Sequence, residues 1–378
     1  MSLAEDIKSL AYEAGFHAVG ITSAEPFVEA EQTLHEHRER GLLEGSRFQY
    51  PENIHSHTHP LETMPTAKSI ISVALSYLTD DSGQPPAASS QQPPRGLLSR
   101  YARGRDYHGL VQDRLAALAN SIQSRFCRDA DKRSIVDTGP LVDRSAAIRA
   151  GVGSPGKNTC VYTKEYGSWV VLGELITDIE LETDAPAPLE ICGECNECMK
   201  ACPTGAICSP RAVDQNLCIS KVSTLKGFIP HRLREKMGPR IYGCDVCQSV
   251  CPLNKKAKPG NIDGFRPSAE LGSNPELLPL LNMTQEEFDV RIAPTTAGWI
   301  QRTRFRRNVA VVLGNVGDPA AVPGLVEALS DPEPVIRGHA AWALGKIGTP
   351  PARLALEKAL ICETDEQVKS ETKIVMEE

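Results

Sequence analysis

At 378 residues, with 41% hydrophobic and 24% charged side chains, the chain is too long for one compact core and too ordinary in composition for a disordered or fibrous protein. Two or three globular domains are therefore expected. The net charge of −7 argues against an overall nucleic-acid binder, and the absence of any run of about 18 apolar residues excludes a membrane span.

Residues 3–14 place Leu3, Ile7, Leu10, Ala11 and Ala14 on one face of a helix. Acidic residues fall early in this opening stretch, which does not read as a signal peptide, so a cytoplasmic protein is expected. Residues 17–22 read as a strand. His55, His57 and His59 form a small cluster that could bind metal, although a polar loop explains it more simply. The β-branched, apolar run 69–77 suits a buried strand, and 80–95 is a flexible polar loop. A helix follows over 107–126, then strands over 134–140 and 168–177. Helices alternating with strands imply an α/β domain over 1–185.

The Pro-rich stretch 184–188 marks a boundary, and a Gly/Pro-rich passage at 259–275 closes the next segment. Residues 186–260 contain nine of the twelve cysteines. The C-terminal part, 261–378, shows an internal repeat. Arg306…Leu313-Gly-Asn-Val-Gly-Asp318 recurs as Arg337…Leu344-Gly-Lys-Ile-Gly-Thr349, a period of 31 residues that resembles HEAT-type helix pairs. With two visible copies, this module should lean on the rest of the chain. Two basic stretches interrupt the acidic average. Residues 226–258 carry eight Lys/Arg against Glu235 and Asp245, and 291–307 carry five Arg and no acid. They suggest one polyanion-binding face.

Clustered thiols without an export signal point to metal rather than disulfides. Cys192, Cys195, Cys198 and Cys202-Pro203 form C-x2-C-x2-C-x3-C-P, in which three cysteines bind one 4Fe–4S cube and the fourth serves its neighbour. Cys244, Cys247 and Cys251-Pro252 form a second set one ligand short, and Cys218 completes it. The expected ligands are thus Cys192, Cys195, Cys198 and Cys251 for one cluster, and Cys202, Cys218, Cys244 and Cys247 for the other. Zinc also suits paired C-x2-C motifs, but it explains neither the third cysteine of each set nor the Cys-Pro endings. Cys208 reads as a spare buried thiol, and Cys127, Cys160 and Cys362 stand alone. Clusters carry electrons one at a time, so an acceptor is expected elsewhere in the chain.

The motifs Arg103-Gly-Arg-Asp-Tyr-His108, Val136-Asp-Thr-Gly-Pro140, Asp143-Arg144, Arg149-Ala-Gly-Val-Gly153, Gly156-Lys-Asn158, Glu165-Tyr-Gly-Ser168 and Tyr242-Gly-Cys-Asp-Val-Cys247, taken with the cysteine block, resemble those of the epoxyqueuosine reductases. The similarity runs from near the N-terminus to the HEAT-like end. It implies an oxidoreductase that reduces epoxyqueuosine to queuosine at the wobble position of the tRNA anticodon loop, the last step of queuosine biosynthesis. The implied cofactors are cobalamin and two 4Fe–4S clusters, which pass electrons to the cobalt. The architecture implied is an α+β multidomain protein: a reductive-dehalogenase-like cobalamin domain, a ferredoxin-like two-cluster domain and HEAT-like helices. The expected partners are the modified tRNA and an external low-potential electron donor, with the protein a monomer.

By the same resemblance Asp137 is the proton donor. That role asks for a raised pKa, with burial as its expected source; the plain alternative is a turn aspartate before Thr138-Gly139. An aspartic-protease reading of Asp-Thr-Gly fails, because its only partner, Asp81-Ser82-Gly83, lies in the polar loop. His57, Ser99, Asp137, Val161, Leu172, Ser220 and Asp245 match cobalamin-contacting positions. His57 stands where arginine is frequent, and Ser99 where some members have cysteine. Lys226 matches a tRNA-contacting position, and Arg302, Arg304, Arg306 and Arg307 offer charge for phosphates. For Arg306 and Arg337 a helix-packing role is the even alternative. Two other readings compete: a reductive dehalogenase of small organohalides, and a ferredoxin-like electron carrier on an RNA-binding scaffold.

Overall fold

A computed structural model describes residues 2–80, 93–126 and 131–377. Most of the expected loop 80–95 lies outside the described residues, as do Asp81-Ser82-Gly83 and Cys127. The chain divides into two compact units that do not follow sequence order. The first takes in Met1–Asp80, Tyr107–Asn216 and Val246–Phe265; the second takes in 81–106, Leu217–Asp245 and Arg266–Glu378.

The first unit is built on a four-stranded sheet of β1 (Ala18–Ser23), β2 (Ser69–Ser76), β3 (Lys132–Ile135) and β4 (Val170–Thr177), in the order β1-β2-β4-β3. All three pairings are antiparallel. Every residue of β2 is buried, and its sequence accordingly carries no charge and no polar residue larger than serine: a strand covered on both faces has no solvent side to make polar. The helix Leu3–Glu13 starts where Ser2 Oγ accepts the Glu5 N–H, an N-cap that satisfies one orphan donor. The helix Tyr107–Phe126 buries the stripe Leu110, Val111, Leu115, Leu118 and Ile122 and packs on β4. On the other side of the sheet the short helix Asp143–Arg149 packs against β4 and β2.

The strand expected over 134–140 is shorter than its sequence suggests. It ends at Ile135, because Asp137 has φ of 48°, a left-handed conformation that no ladder continues through. The histidine-bearing segment is also corrected: Pro51–Thr58 is a helix, not a loop.

The second unit is mainly helical. Its core gathers the helix Gln301–Val316, the helix Pro334–Ile347 and the helices flanking them. The two repeat copies end alike, on Gly317 (φ 71°) and Gly348 (φ 66°), each closing its helix in the left-handed conformation that glycine adopts without strain. The strand Arg240–Tyr242 pairs with Leu97–Leu98 at the edge of this core. Among the described residues, no helix is long and apolar enough to cross a membrane.

Candidate active site and cysteine loops

Asp137 sits just past the end of β3, at the tip of a tight turn in which the Thr138 N–H is given to Val136 O. Its carboxyl is half exposed. Tyr107 donates its hydroxyl to Asp137 Oδ2 at 2.9 Å, and His108 Nε2 lies 3.6 Å from the same oxygen. Both come from the first turn of the helix Tyr107–Phe126, with their rings stacked at 4.2 Å. Arg47 donates to the main-chain carbonyls of Asp137 and Gly139 and stands 3.7 Å from Asp137 Oδ1. A cavity of about 390 Å3 opens beside this turn, lined by His108, Gln112, Ser134 and Thr138 among others.

Burial pushes the Asp137 carboxyl up, but the hydrogen bonds of His108 and Tyr107 and the charge of Arg47 outweigh it and hold the pKa below the ordinary carboxylate range. The raised pKa expected for a proton donor is therefore not what this arrangement gives. Two hydrogen bonds and one nearby positive charge that favour the anion overcome a desolvation that is only partial.

Two more carboxyls lie on the side of the sheet covered by the helix Asp143–Arg149. Glu174 is fully buried in β4; its Cα pairs with Ser72 on one neighbour and Ile135 on the other. Ser72 Oγ donates to Glu174 Oε1 at 3.2 Å, while Oε2 is buried without a hydrogen-bond partner. Asp143 opens the helix Asp143–Arg149, and its Oδ1 is likewise buried and unpartnered. Burial, then the charge of Asp137, raises Asp143 to about 7 against the pull of Arg47 and Arg144. Glu174 is pushed far above the usual range by burial and by Asp143 and Asp137. The sequence carries a signal for Glu174, a lone charge inside an apolar strand, which the strand reading passed over. Arg47 has no such signal.

His57 stands with its ring edge to Phe48 at 5.2 Å, and burial followed by the charge of Arg47 lowers its pKa. It thus shares Arg47 with Asp137. Its neighbours His55 and His59 stand with Glu31 as a group whose possible ligand atoms all lie within 4.8 Å of one another; His55 bridges Glu31 at 3.0 Å and Glu62 at 3.1 Å, and the Glu31 hydrogen bond raises its pKa. Val161 and Leu172 border a small apolar cluster with Ala74, Ala147 and Ala150.

Six of the cluster cysteines belong to the first unit: Cys192, Cys195, Cys198, Cys202, Cys247 and Cys251. Burial and the nearby sulfurs of Cys247, Cys192 and Cys251 push the Cys198 thiol up to about 11, so these sulfurs converge. Yet among the described residues no three cysteine sulfurs lie within 4.8 Å of one another, whereas four thiolates on one zinc at ~2.3 Å sit about 3.8 Å apart. Lys157 braces the first loop by donating to Gly193 O, Cys195 O and Asn196 Oδ1 at 2.7–3.0 Å. This is the physical use of the Gly156-Lys-Asn motif. Cys208, expected to be buried, is exposed on a two-stranded turn, because a three-residue edge strand has no second layer to cover it.

In the second unit Ser99 donates its hydroxyl to Asp245 Oδ1, and Arg100 N–H adds a bond to Oδ2 at 2.8 Å. Gly243 makes this possible: a Cβ there would stand 2.5 Å from Ser99 Cβ. A serine thus has a hydrogen-bonding task at this position. Ser220 is half-buried in the short helix after Cys218, and Cys218 and Cys244 lie in this unit. Lys226 is exposed. Arg302 is half-buried and bonded to Met283 O, while Arg304 donates to Thr224 O and lies over the exposed ring of Trp299 at 5.5 Å. Arg306 and Arg307 are corrected. Arg306 is buried against Leu281 O and Asp331. Arg307 is wholly buried and donates to Leu225 O, Gly227 O and Ser223 O. A helix-lining guanidinium satisfied by carbonyls has nothing left for phosphate.

Comparison with known proteins adds the following. Residues 58–138 match the family model described as epoxyqueuosine reductase QueG, DUF1730; 191–254 match a 4Fe-4S double cluster binding domain; and 301–377 match HEAT repeats. The chain is 39% identical over 370 residues to the epoxyqueuosine reductase of Bacillus subtilis, covering 98% of this chain and 94% of that one. To the Escherichia coli enzyme of the same name it is 36% identical, covering 91% and 89%. A crystal structure of an epoxyqueuosine reductase with an epoxyqueuosine-modified tRNA-Tyr stem loop superposes with a TM-score of 0.93 at 38% identity, covering 99% of this chain and 98% of that one. A Bacillus subtilis structure, described as having its catalytic aspartate loop swung out of the active site, gives a TM-score of 0.91.

Proposed function

The chain belongs to the epoxyqueuosine reductase family, and from that premise we propose that it reduces epoxyqueuosine to queuosine at the wobble position of a tRNA anticodon loop. The observation that carries the proposal is the match, over nearly all of both chains, to a relative solved with an epoxyqueuosine-modified stem loop. Removing the epoxide oxygen as water takes two electrons and two protons. Two 4Fe–4S clusters and a cobalamin, when bound, supply reducing power at the substrate, drawn one electron at a time from an external low-potential donor. Cys192, Cys195, Cys198 and Cys251 hold one cluster; Cys202, Cys218, Cys244 and Cys247 are assigned to the other on their spacing.

For the corrin, Val161 and Leu172 are proposed as contacts, backed by a buried cluster of small apolar side chains. His57 and Asp137 add polar groups in the same unit. Ser99, Ser220 and Asp245 are proposed as the second unit's cobalamin contacts, with Asp245 held in place by Ser99 and Arg100. Asp137 faces the reacting oxygen and carries a proton to it, oriented by Tyr107 and His108. Lys226, Arg302 and Arg304 grip the phosphates, and the exposed Trp299 ring beside Arg304 suits a splayed base. The working unit is a monomer with three functional parts: 1–185, 186–260 and 261–378.

The test is direct. Anaerobically purified protein with both clusters, given cobalamin, a chemical reductant and tRNA bearing epoxyqueuosine, is expected to yield queuosine on nucleoside analysis. Unchanged tRNA from cluster-replete protein would overturn the proposal.

A further inference from the structure

The proposed reaction sends two protons to a single oxygen, which leaves as water. One carboxyl supplies one proton. In this structure even that one is not stored on Asp137, because Tyr107, His108 and Arg47 all favour its anion. The proton stock must lie on neighbouring groups.

Glu174 and Asp143 are placed for that task. Ile135, the Cα partner of Glu174 on β3, is two residues before Asp137, and Asp143 begins the helix six residues after it. That helix packs on the β4 strand that carries Glu174. Each acid keeps one oxygen that is buried and without a partner, Asp143 Oδ1 and Glu174 Oε2. An unpaired buried oxygen is tolerable on a neutral acid and very costly on an anion. The groups around them divide unevenly. Glu174 has only the Ser72 hydroxyl on its side, with Asp143 and Asp137 opposed to its charge. Asp143 has Arg47 and Arg144 in favour of its charge, and burial and Asp137 against it. Burial and the neighbouring carboxylates favour the protonated form of both acids.

We propose that Asp143 and Glu174 form a buried proton reserve that reloads Asp137, so that one turnover can deliver two protons to the departing oxygen. This rests on the reductase reading above. The sequence of transfers is balanced. Asp143 passes its proton to the Asp137 carboxylate, which gives it to the oxygen; Asp143 then takes the proton of Glu174 and passes it through Asp137 to the same oxygen, which leaves as water; two protons from solvent refill the pair. Asp143 and Glu174 touch no substrate and are positioning residues that act through Asp137.

The experiment uses the cluster-loaded full chain and the variants Asp143→Asn and Glu174→Gln, which keep shape and remove the acid. The first readout is the infrared absorption of protonated carboxyl groups at pH 6, expected in the wild type and diminished in each variant. The second is the pH profile of tRNA reduction. The wild type should lose activity as pH rises through about 7, where Asp143 gives up its proton. In Asp143→Asn that limb should vanish, with the rate at pH 6 down at least about tenfold. A merely structural role would lower the rate equally at every pH. Should either variant fail to fold, Ser72→Ala keeps both acids, removes the donor to Glu174, and should shift the carboxyl band without abolishing it. An active wild type with no protonated-carboxyl band, or variants with the wild-type pH limb, would overturn the reserve alone. An inactive wild type would overturn the reductase reading, while the infrared result would still judge the buried acids.

Discussion

Asp137 illustrates how much of a functional side chain is set by its neighbours. Its φ of 48° is left-handed, and its carboxyl is held by Tyr107, His108 and Arg47. Asparagine and aspartate tolerate that conformation better than most residues, so Asp137→Asn should keep the turn and the bonds to Tyr107 and Arg47. What it loses is the ability to carry a proton. We expect the reduction rate to fall about 10²- to 10⁴-fold, the range that positioned acid–base groups contribute, with thermal unfolding and iron content near wild type. A smaller loss, under about threefold, would remove Asp137 from the chemistry and leave it as a turn residue. The pH behaviour of stability has a definite sign here. Because the folded pKa is depressed, the ionised carboxyl stabilises the fold above the unfolded pKa, and that contribution fades as pH falls toward the folded value.

Between the elements of the second unit, buried guanidinium groups do the tying that apolar contacts do elsewhere. Arg306 meets Asp331, and one repeat later Arg337 meets Glu363, so the repeated arginine closes each helix pair onto the start of the next. Arg307, one residue on, turns instead to the loop around Lys226 and holds the carbonyls on both sides of it. Arg307→Ala would strand those carbonyls in the interior. A loss of about 3–5 kcal/mol in chemical unfolding is expected, together with faster proteolysis near Lys226. Stability within about 1 kcal/mol of wild type would show that water replaces the guanidinium.

The repeat itself was legible from sequence because its glycines and arginines recur at one period, and so was the long helix Tyr107–Phe126 from its apolar stripe. Less was legible where sequence distance and spatial distance part company. Arg47 reaches Asp137 across 90 residues, and the buried arginines look, as letters, like any basic surface. Strand length at 134–140 was misread because periodicity sees apolar residues and not a positive φ at Asp137.

At the scale of the whole molecule, the cysteine stretch does not fall in one unit; its residues are divided between two. The ligand set proposed for one cluster, Cys192, Cys195, Cys198 and Cys251, lies wholly inside the first unit. The Cys198 thiol feels the charge of Cys247, Cys192 and Cys251, all of them in the first unit. That combination makes a quantitative forecast. Anaerobically prepared protein should carry about eight iron and eight sulfide per chain, four of each per cube. Cys251→Ala should reduce both to about half, because a cube deprived of one thiolate is exposed to solvent and chelators. Cys208→Ser should leave the metal content unchanged, since its sulfur sits exposed against Ala212 O and the Arg40 guanidinium. Zinc in place of iron, or an iron loss in Cys208→Ser equal to that in Cys251→Ala, would break the ligand assignment. Each variant removes one thiol from the same stretch of chain, so the contrast between them tests the ligand assignment and not the mere loss of a thiol.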